Sequence, residues 1–393
     1  MIAMTKPPRT QRLWELVLLF GKLGCTSFGG PAVHIAMLED EVVNRRRWMT
    51  REHFLDLLGA TNLIPGPNST EMALHVGYVR AGLLGLITAG LCFILPAVLI
   101  TLGFAWVYQE FQTVPALASF LYGIKPAILV VILFAVWKLG KTALKSWQLG
   151  VLGLGVITAL LLGMNEVFVL ILGSAIGTLW LWKPKTLKKL NRLEILVLGS
   201  LLPMGVAQAT GPLVPTTISL TKLGWFFLKT GTVLFGSGYV LVAFLETGLV
   251  SDYGWLTRQQ LLDAVAVGQF TPGPVLSTAT FVGYLIAGLP GALISTIGIF
   301  LPSFVFVALL NPLIPRLRQA AWTSAFLDAV NLCAVALLGV VVVKLLPSSL
   351  PNGPAWGIAL VAAIVYWRWK LSSVWLVLGG ALCGWLLVSL GYA

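Results

Sequence analysis

Two apolar segments of the chain are broken by the same Pro-Gly-Pro triplet, at residues 65–67 and again at residues 272–274. The first segment, 59–77, reads GATNLIPGPNSTEMALHVG, and the second, 269–283, reads QFTPGPVLSTATFVG. In a water-soluble protein each triplet would predict a loop between helices. Here 58% of the 393 residues are hydrophobic, 10% are charged, and the mean hydropathy is +0.92. This composition predicts an all-α polytopic membrane protein whose breaks lie inside membrane-embedded helices.

The broken segments belong to an internal duplication that covers most of the chain. Residues of the first half recur 207 positions later and, after a one-residue deletion, 206 positions later. The matched pairs include Lys22 and Lys229, Phe28 and Phe235, Glu39 and Glu246, Arg51 and Arg258, Gly66 and Gly273, and Gly77 and Gly283. We therefore predict two repeats, 13–182 and 220–393, preceded by a cytoplasmic tail, 1–12, and joined by a segment, 183–219, that holds a basic run and one extra transmembrane helix.

The charges of equivalent loops predict how the two repeats are oriented. Residues 45–47 of the first repeat are three arginines, whereas residues 252–254 of the second are Asp-Tyr-Gly. Conversely, the turn around Glu110 corresponds to a turn that carries Arg316 and Arg318. Positive loops lie on the cytoplasmic side, so equivalent loops face opposite sides and the repeats are inverted. We predict a multi-pass protein of the cell inner (plasma) membrane, with its N-terminus cytoplasmic and its C-terminus outside.

Basic residues flank both early apolar runs of the first repeat, so each run is predicted to enter and leave the membrane on the cytoplasmic side. Each run is then a re-entrant hairpin, with tips at 29–31 and 65–67, and at 236–238 and 272–274 in the second repeat. An arm of about ten residues rises ~15 Å as helix, about half of a ~30 Å hydrocarbon core. The tips would therefore meet near the midplane. Each repeat adds four spanning helices, and the extra crossing is at about 194–210.

Four helical arms that begin at these tips would point their free backbone N–H groups and positive dipole ends toward the centre, which suits an anion. Hydroxyl and amide side chains beside the tips offer neutral donors to an oxyanion. The alternative is that these polar residues only cap the arms. The tip residues predicted to bind substrate are Ser27, Gly29, Gly30, Asn62, Pro65, Gly66, Pro67, Asn68, Ser69, Thr70, Gly236, Ser237, Gln269, Thr271, Pro272, Gly273, Pro274 and Ser277.

Lys22 and Lys229 stand at equivalent positions in apolar surroundings, LLFGKLG and FLKTG, and their pattern predicts burial. A lysine inside a membrane is costly and is therefore a candidate for function, so we expect both to offset the charge of the substrate. The structural alternative is that each reaches the interface or forms an ion pair with Glu39 or Glu246.

Further ionisable residues lie in predicted membrane segments. Lys125 lies in mid-helix and Asp328 near its equivalent, which favours an ion pair that is either structural or part of a pathway. Glu71 and His75 share one helical face at i, i+4, so they either couple transport to protons or form a hydrogen-bonded structural site. Asp263, near the start of a hairpin arm, is expected to cap that arm or anchor it at the membrane interface.

These motifs resemble one known family. The stretches FGGP at 28–31, an acidic loop up to Trp48, PGPNSTEMA at 65–73, FGSGYV at 235–240 and GQFTPGPVLSTATFVGY at 268–284 resemble the chromate transporter family in its long, two-domain form. The resemblance implies efflux of chromate from the cytoplasm and chromate resistance, driven by the proton motive force, with sulfate as the natural competitor. It also leaves open a sulfate or other oxyanion carrier, a channel-like mode and a homodimer.

Other classes of protein and ligand fit less well. The net charge of +12 comes from clusters between apolar runs, which set orientation and do not indicate nucleic acid. The four cysteines have no CxxC spacing, so neither a metal site nor a cofactor is predicted. An integral-membrane enzyme acting on a lipid phosphate would need His, Asp or Cys clustered at a membrane face, and the three histidines are scattered. Membrane lipid is the expected surrounding medium.

Overall fold

The computed structural model describes residues 7–28, 30–111, 115–182, 218–311, 321–369 and 371–392. Within these ranges every regular element is helical, which confirms the predicted all-α class. The α-helices are α1 (Arg9–Thr26), α2 (Pro31–Glu39), α3 (Arg51–Thr61), α4 (Asn68–Phe111), α5 (Pro115–Ala143), α6 (Trp147–Leu161), α7 (Glu166–Leu181), α8 (Leu220–Val233), α9 (Val240–Phe244), α10 (Arg258–Phe270), α11 (Thr278–Leu310), α12 (Ala321–Ser349), α13 (Gly353–Trp369) and α14 (Ser373–Ser389). The predicted basic run and extra crossing within 183–219, together with Gly29, Arg316 and Arg318, lie outside the described residues.

Four helices of the described ranges are long and apolar enough to cross a membrane, and they lie in α4, α5, α11 and α12. Shorter apolar helices, α6, α7 and α14, lie where further crossings were predicted. The chain is therefore a polytopic integral membrane protein.

Helix α4 consists of two helices joined at a sharp break. Ala81 and Gly82 leave the helical conformation, and Gly82 has φ of +70°. A side chain on Gly77 would collide with the carbonyl of Gly85, because the two stretches fold back on each other. Helix α11 breaks in the same way at Gly288, where φ is +61°. The positive φ at both breaks explains why glycine occupies them.

The helical arms that lead into the two breaks, at the start of α4 and of α11, each follow a Pro-Gly-Pro triplet. The helices that precede these arms, α3 and α10, are capped by threonine. Pro31 occupies the first turn of α2, where its missing N–H costs nothing. Thr50 accepts a hydrogen bond from the backbone N–H of His53 at the start of α3. Thr257 forms a complete capping box with Gln260 at the start of α10. These residues begin a new helix at the positions where the chain turns.

The end of each first hairpin has the same unusual backbone. Short π-helices, Asp40–Arg45 and Leu245–Asp252, follow α2 and α9. Arg47 then adopts φ of +52°, and Gly254, found 207 residues later, adopts φ of +63°. An arginine with positive φ is uncommon. Because the equivalent residue of the second half is a glycine with a similar φ, the two halves share the geometry of this turn and not the residue type.

Helices of the first half pack directly against helices of the second half. Helix α4 packs against α1 and α11 packs against α8, within each half, while α4 also packs against α11 between the halves. Helix α14 of the second half packs on α5 of the first, and α7 of the first half packs on α12 of the second. Small residues allow these close contacts: a Cβ on Gly123 would lie 2.6 Å from the Cα of Gly384.

Candidate functional site

The hairpin tips of the two halves are joined by a reciprocal pair of backbone hydrogen bonds. The N–H of Gly66 donates to the carbonyl of Leu234 at 2.7 Å, and the N–H of Gly273 donates to the carbonyl of Ser27 at 2.9 Å. Donors and acceptors of the two bonds are each 207 residues apart. Buried backbone outside regular helices needs such partners, because its N–H and C=O groups have no water to bind. The second hairpin of each half therefore contacts the first hairpin of the other half.

Both bonds depend on glycine at the tip. Gly66 has φ of +141° and Gly273 has φ of +86°. A Cβ on Gly66 would collide with the Glu71 carboxylate and the Ser303 hydroxyl, and a Cβ on Gly273 would lie 3.0 Å from the Cβ of Ala97. Backbone and packing thus both exclude a larger residue. The flanking residues Pro65, Pro67, Pro272 and Pro274 are buried by protein, so the tips do not lie in solvent.

A cavity of about 360 Å³ lies beside the first of these tip contacts. It is lined by Asn62 and Asn68, which flank the tip of the second hairpin, and by Gly236 of the opposite half. The Asn68 amide donates to the Asn62 side-chain oxygen at 2.9 Å. The remaining lining residues come from the end of α5, the loop after it, α9 and α12, and are Leu139, Thr142, Ala143, Lys145, Val240, Ser324, Leu327, Asp328, Asn331, Ala334 and Val335.

Asp328 has a different partner from the one that the sequence suggested. The Nζ atom of Lys145 lies 2.6 Å from Asp328 Oδ1, so the predicted pair with Lys125 is wrong. Lys145 lies in the loop between α5 and α6, and sequence analysis did not single it out as a site residue. Asp328 is the one carboxylate of α12, which indicated that a cation lies nearby. The sequence could not say which one, because Lys138, Lys141 and Lys145 follow one another closely.

Lys125 instead lies within electrostatic reach of Asp263. Asp263 is 1% exposed, and its Oδ2 accepts a hydrogen bond of 2.8 Å from the Tyr108 hydroxyl. The expectation that Asp263 anchors a hairpin arm at the interface is therefore wrong. The packing of α4 against α10 covers the carboxylate and gives it a donor from the other half, which the sequence around Asp263 does not reveal.

Several predicted tip residues carry a buried side-chain atom that has no hydrogen-bond partner within the described residues. These atoms are Ser27 Oγ, Thr70 Oγ1, Gln269 Nε2 and Ser277 Oγ. Ser277 makes no capping hydrogen bond, although it precedes α11. Buried donors without partners are unusual in folded proteins and need an explanation such as an unseen water or ion. Helix capping alone does not account for them.

The other predicted tip residues contribute to hydrogen bonds within and between the halves. The Thr101 hydroxyl donates to Thr271 Oγ1 at 3.3 Å, which joins α4 to the end of α10. The Tyr239 hydroxyl donates to Gln269 Oε1 at 3.3 Å, and the Tyr239 backbone N–H lies 3.4 Å from Ser237 Oγ. Gly30 has φ of +82° and begins the turn into α2. Ser69 is buried in the first turn of α4.

Lys22 and Lys229 are not buried to the degree that their surroundings suggested. The Lys22 side chain is 56% exposed, and its Nζ lies 3.0 Å from Glu41 Oε1, so Glu39 is not its partner. Lys229 is partly buried, and the charge of Asp252 acts on it. Burial alone would raise the pKa of Glu41, but hydrogen bonds from Lys22 and Arg46 outweigh burial and leave the pKa below its ordinary value.

The two carboxylates considered as partners of Lys22 and Lys229 lie beside other cations instead. Arg51 Nε lies 3.1 Å from Glu39 Oε1. Arg258 Nε lies 3.2 Å from Glu246 Oε1, and Lys344 Nζ lies 3.6 Å from Glu246 Oε2. The two arginine pairs join the two hairpins within each half. Each arginine lies 12 residues from its carboxylate, on the next hairpin, which helical spacing in the sequence does not reveal.

Glu71 and His75 are both completely covered by protein. Ser303 Oγ of α11 lies 3.5 Å from Glu71 Oε1, and Glu71 Oε2 has no hydrogen-bond partner within the described residues. A contact of 3.5 Å is a weak hydrogen bond at best. Glu71 therefore lies between the halves, directly under the Gly66 tip, and the residue leaves both proposed roles open.

Comparison with known proteins identifies the family. The chromate transporter family matches the chain twice, over residues 14–178 and 221–385. A probable chromate transport protein of Synechococcus elongatus is 34% identical over 95% of this chain and 95% of its own length. Chromate transport proteins of Cupriavidus metallidurans and Pseudomonas aeruginosa are 32% and 30% identical, each over 95% of this chain and over 93% and 92% of their own lengths. No solved structure matches the chain. The chain belongs to the chromate transporter family.

Proposed function

We propose that this protein exports chromate from the cytoplasm across the inner membrane and thereby confers chromate resistance. The observation that carries the proposal is the polar cavity where a hairpin tip of one half meets the opposite half, beside Asn62, Asn68 and Gly236. Its volume of about 360 Å³ leaves room for a small tetrahedral oxyanion with some of its water. Its lining of amides and hydroxyls supplies hydrogen-bond donors of the kind that such an anion accepts.

The proposed topology is two inverted repeats, each with two re-entrant hairpins and four spanning helices. Contacts among the arm ends of the first repeat support it: Arg12 Nη1 donates to the Arg80 carbonyl at 2.9 Å. The guanidinium groups of Arg46 and Arg80 lie 5.3 Å and 4.7 Å from the centre of the Trp48 ring. Three arm ends thus lie together, as expected if both hairpins enter and leave on one side. The basic charge of this cluster favours the cytoplasm for that side.

The proposed topology places the cavity on the cytoplasmic side of the hairpin tips. With a cytoplasmic N-terminus, the loop after α5 and the start of α12 are cytoplasmic, and both line the cavity. An anion would therefore load from the cytoplasm and bind near the tips. Buried donors at Ser27, Thr70, Gln269 and Ser277 would be available to it as the halves move around the tips. Alternating movement of inverted repeats around a central site is the general behaviour of such folds.

The membrane potential favours export of an anion without further coupling. Each charge that moves across the membrane is worth ~2.3 kcal/mol per 100 mV, and a dianion leaving a negative interior gains twice that amount. Proton coupling is the alternative source of energy, and Glu71 and His75 remain its candidates. Sulfate is the alternative substrate, because it is also a tetrahedral dianion.

A chromate-sensitive bacterial host tests the proposal. Expression of the wild-type chain should lower cytoplasmic chromate severalfold and restore growth on chromate. The Asn68→Ala variant should lose most of this effect, whereas Asn44→Ala, which changes an exposed amide outside the cavity, should retain it. Lys22→Ala and Lys229→Ala belong in the same series, since unchanged export in both would remove these lysines from the site. Export of sulfate but not chromate would identify the alternative substrate.

A further inference from the structure

The cavity wall carries one ion pair among its described residues. Lys145 Nζ and Asp328 Oδ1 are 2.6 Å apart, and every other polar lining residue of the cavity is neutral: Asn62, Asn68, Thr142, Ser324 and Asn331. The described lining therefore carries one positive and one negative charge, which offset each other at short range while the pair is closed. A doubly charged anion in the cavity would then meet only neutral donors, unless the pair opens.

The lysine is the more exposed partner of this pair. Its side chain is 60% exposed, whereas that of Asp328 is 23% exposed. Lys145 lies in the short stretch between Ala143, the last residue of α5, and Trp147, the first residue of α6, while Asp328 is fixed within α12. Ion pairs with this exposure contribute only about 0–1 kcal/mol to stability. A small gain elsewhere is therefore enough to separate them.

The corresponding place in the other half has a neutral contact. Tyr122, found on α5 206 residues before Asp328, donates its hydroxyl to Asn352, which lies in the short stretch after α12. Each contact thus joins one of the paired helices α5 and α12 to the segment that follows the other. One is charged and the other is not. A contact that only held the two helices together would not need charged residues, because Tyr122 and Asn352 make the equivalent connection without them.

We propose that Lys145 is the cation that binds the anion in the cavity, and that Asp328 competes with the anion for it. The inference rests on the proposed function. A dianion attracts the ammonium group about twice as strongly as the single charge of Asp328 does at equal distance. A monoanion has no such advantage, so it does not displace Asp328 from the ammonium group. The pair would therefore select doubly charged anions, because only these outcompete the bound carboxylate. On the proposed outer side of the membrane, the corresponding Tyr122–Asn352 contact contains no cation that could retain an anion as it leaves the protein.

Two single substitutions separate this role from a structural one. Labelled chromate flux is measured in proteoliposomes, together with the thermal stability of each purified variant in detergent. Lys145→Ala should raise KM for chromate about tenfold or more, whereas Asp328→Asn should lower it about fivefold, because the lysine loses its competitor. Both substitutions break the same pair, so both should lower thermal stability by similar, small amounts. Lys145→Arg keeps the charge and should stay near the wild-type KM.

Lys141→Ala is the matched control. Lys141 lies four residues before Lys145, in the last turn of α5, and its ammonium group lies 4.7 Å from the centre of the Trp137 ring and not in the cavity wall. Its KM should be that of the wild type. Asp328→Asn should also admit nitrate as a competitor of chromate, which the wild type should exclude. If both Lys145→Ala and Asp328→Asn raise KM, or neither changes it, the pair is structural and the inference is wrong. Absence of any oxyanion flux in the wild type would instead overturn the proposed function itself.

Discussion

The backbone N–H of Gly273 donates a 2.9 Å hydrogen bond to the carbonyl of Ser27 across the boundary between the two halves of the chain. The equivalent bond from Gly66 to Leu234 makes the contact reciprocal. Each tip is therefore anchored to the opposite half as well as to its own flanking helices. Any movement of one half against the other must either carry these bonds with it or break both. The tips are consequently the natural place for a site that both halves control.

Alanine at Gly66 should destabilise the protein more than alanine at an ordinary helical glycine. Gly66 has φ of +141°, and a Cβ there would collide with Glu71 and Ser303. We expect a loss of about 1–3 kcal/mol from backbone strain alone, with the collision adding to it. Thermal unfolding in detergent measures the effect. Gly103→Ala, on α4 with nothing within 4 Å of the new Cβ, is the control and should be neutral or slightly stabilising. Equal stabilities for the two variants would contradict the tip geometry.

A large residue at Gly24 should separate α1 from α4. A Cβ on Gly24 would lie 2.8 Å from the carbonyl oxygen of Phe93 and 3.0 Å from Cγ of Pro96. Gly24→Leu should therefore cost about 1–3 kcal/mol or more and lower the yield of folded protein. Gly21→Leu, one turn earlier on the same helix, meets nothing within 4 Å and should fold normally. Folded yield by size-exclusion chromatography distinguishes them, and normal folding of Gly24→Leu would show that α1 does not pack on α4 as described.

Removal of the Tyr108 hydroxyl should leave a buried carboxylate without its donor. Asp263 Oδ2 accepts from Tyr108 at 2.8 Å, and Asp263 Oδ1 has no hydrogen-bond partner within the described residues. Tyr108→Phe should cost about 1–3 kcal/mol. Addition of Asp263→Asn should recover part of that loss, because an amide is less costly to bury than a charge. Tyr392→Phe, at a residue 69% exposed, is the control and should leave the unfolding temperature unchanged. Additive losses in the double variant would argue against the contact.

The ion pair of Lys22 and Glu41 should make stability depend on pH. The pKa of Glu41 is lowered in the folded protein, so its contribution is present above the unfolded pKa and is lost as pH falls through the folded pKa. Lys22→Ala should therefore lower the unfolding temperature at neutral pH, by the equivalent of at most about 1 kcal/mol. The difference from wild type should shrink in acid. Lys22→Arg should follow the wild-type profile, and a gap that stays constant with pH would exclude the ion pair as its cause.

Sequence reasoning located the helix breaks because glycine and proline restrict the backbone locally. The triplets at 65–67 and 272–274 lie between helices, as predicted. It did not locate the partners of charged side chains, since those depend on packing between distant segments. Lys145 and Asp328 are 183 residues apart, and Tyr108 and Asp263 are 155 apart. Equivalent positions in the two repeats suggested Lys125 as the partner of Asp328, and a place near the start of a hairpin arm suggested an interfacial Asp263. The packing of α5 and α4 against the other half gives both carboxylates different surroundings.

Flux of labelled chromate into proteoliposomes is the most direct test of the central claim, that a dianion binds where the hairpin tips of the two halves meet. With a potential that is positive inside the vesicle, we expect the wild-type protein to give saturable chromate uptake that sulfate inhibits. The double variant Asn62→Ala, Asn68→Ala should lose it, and Asn44→Ala should not. Uptake no faster than that of empty liposomes, or uptake that the double variant retains in full, would contradict the account.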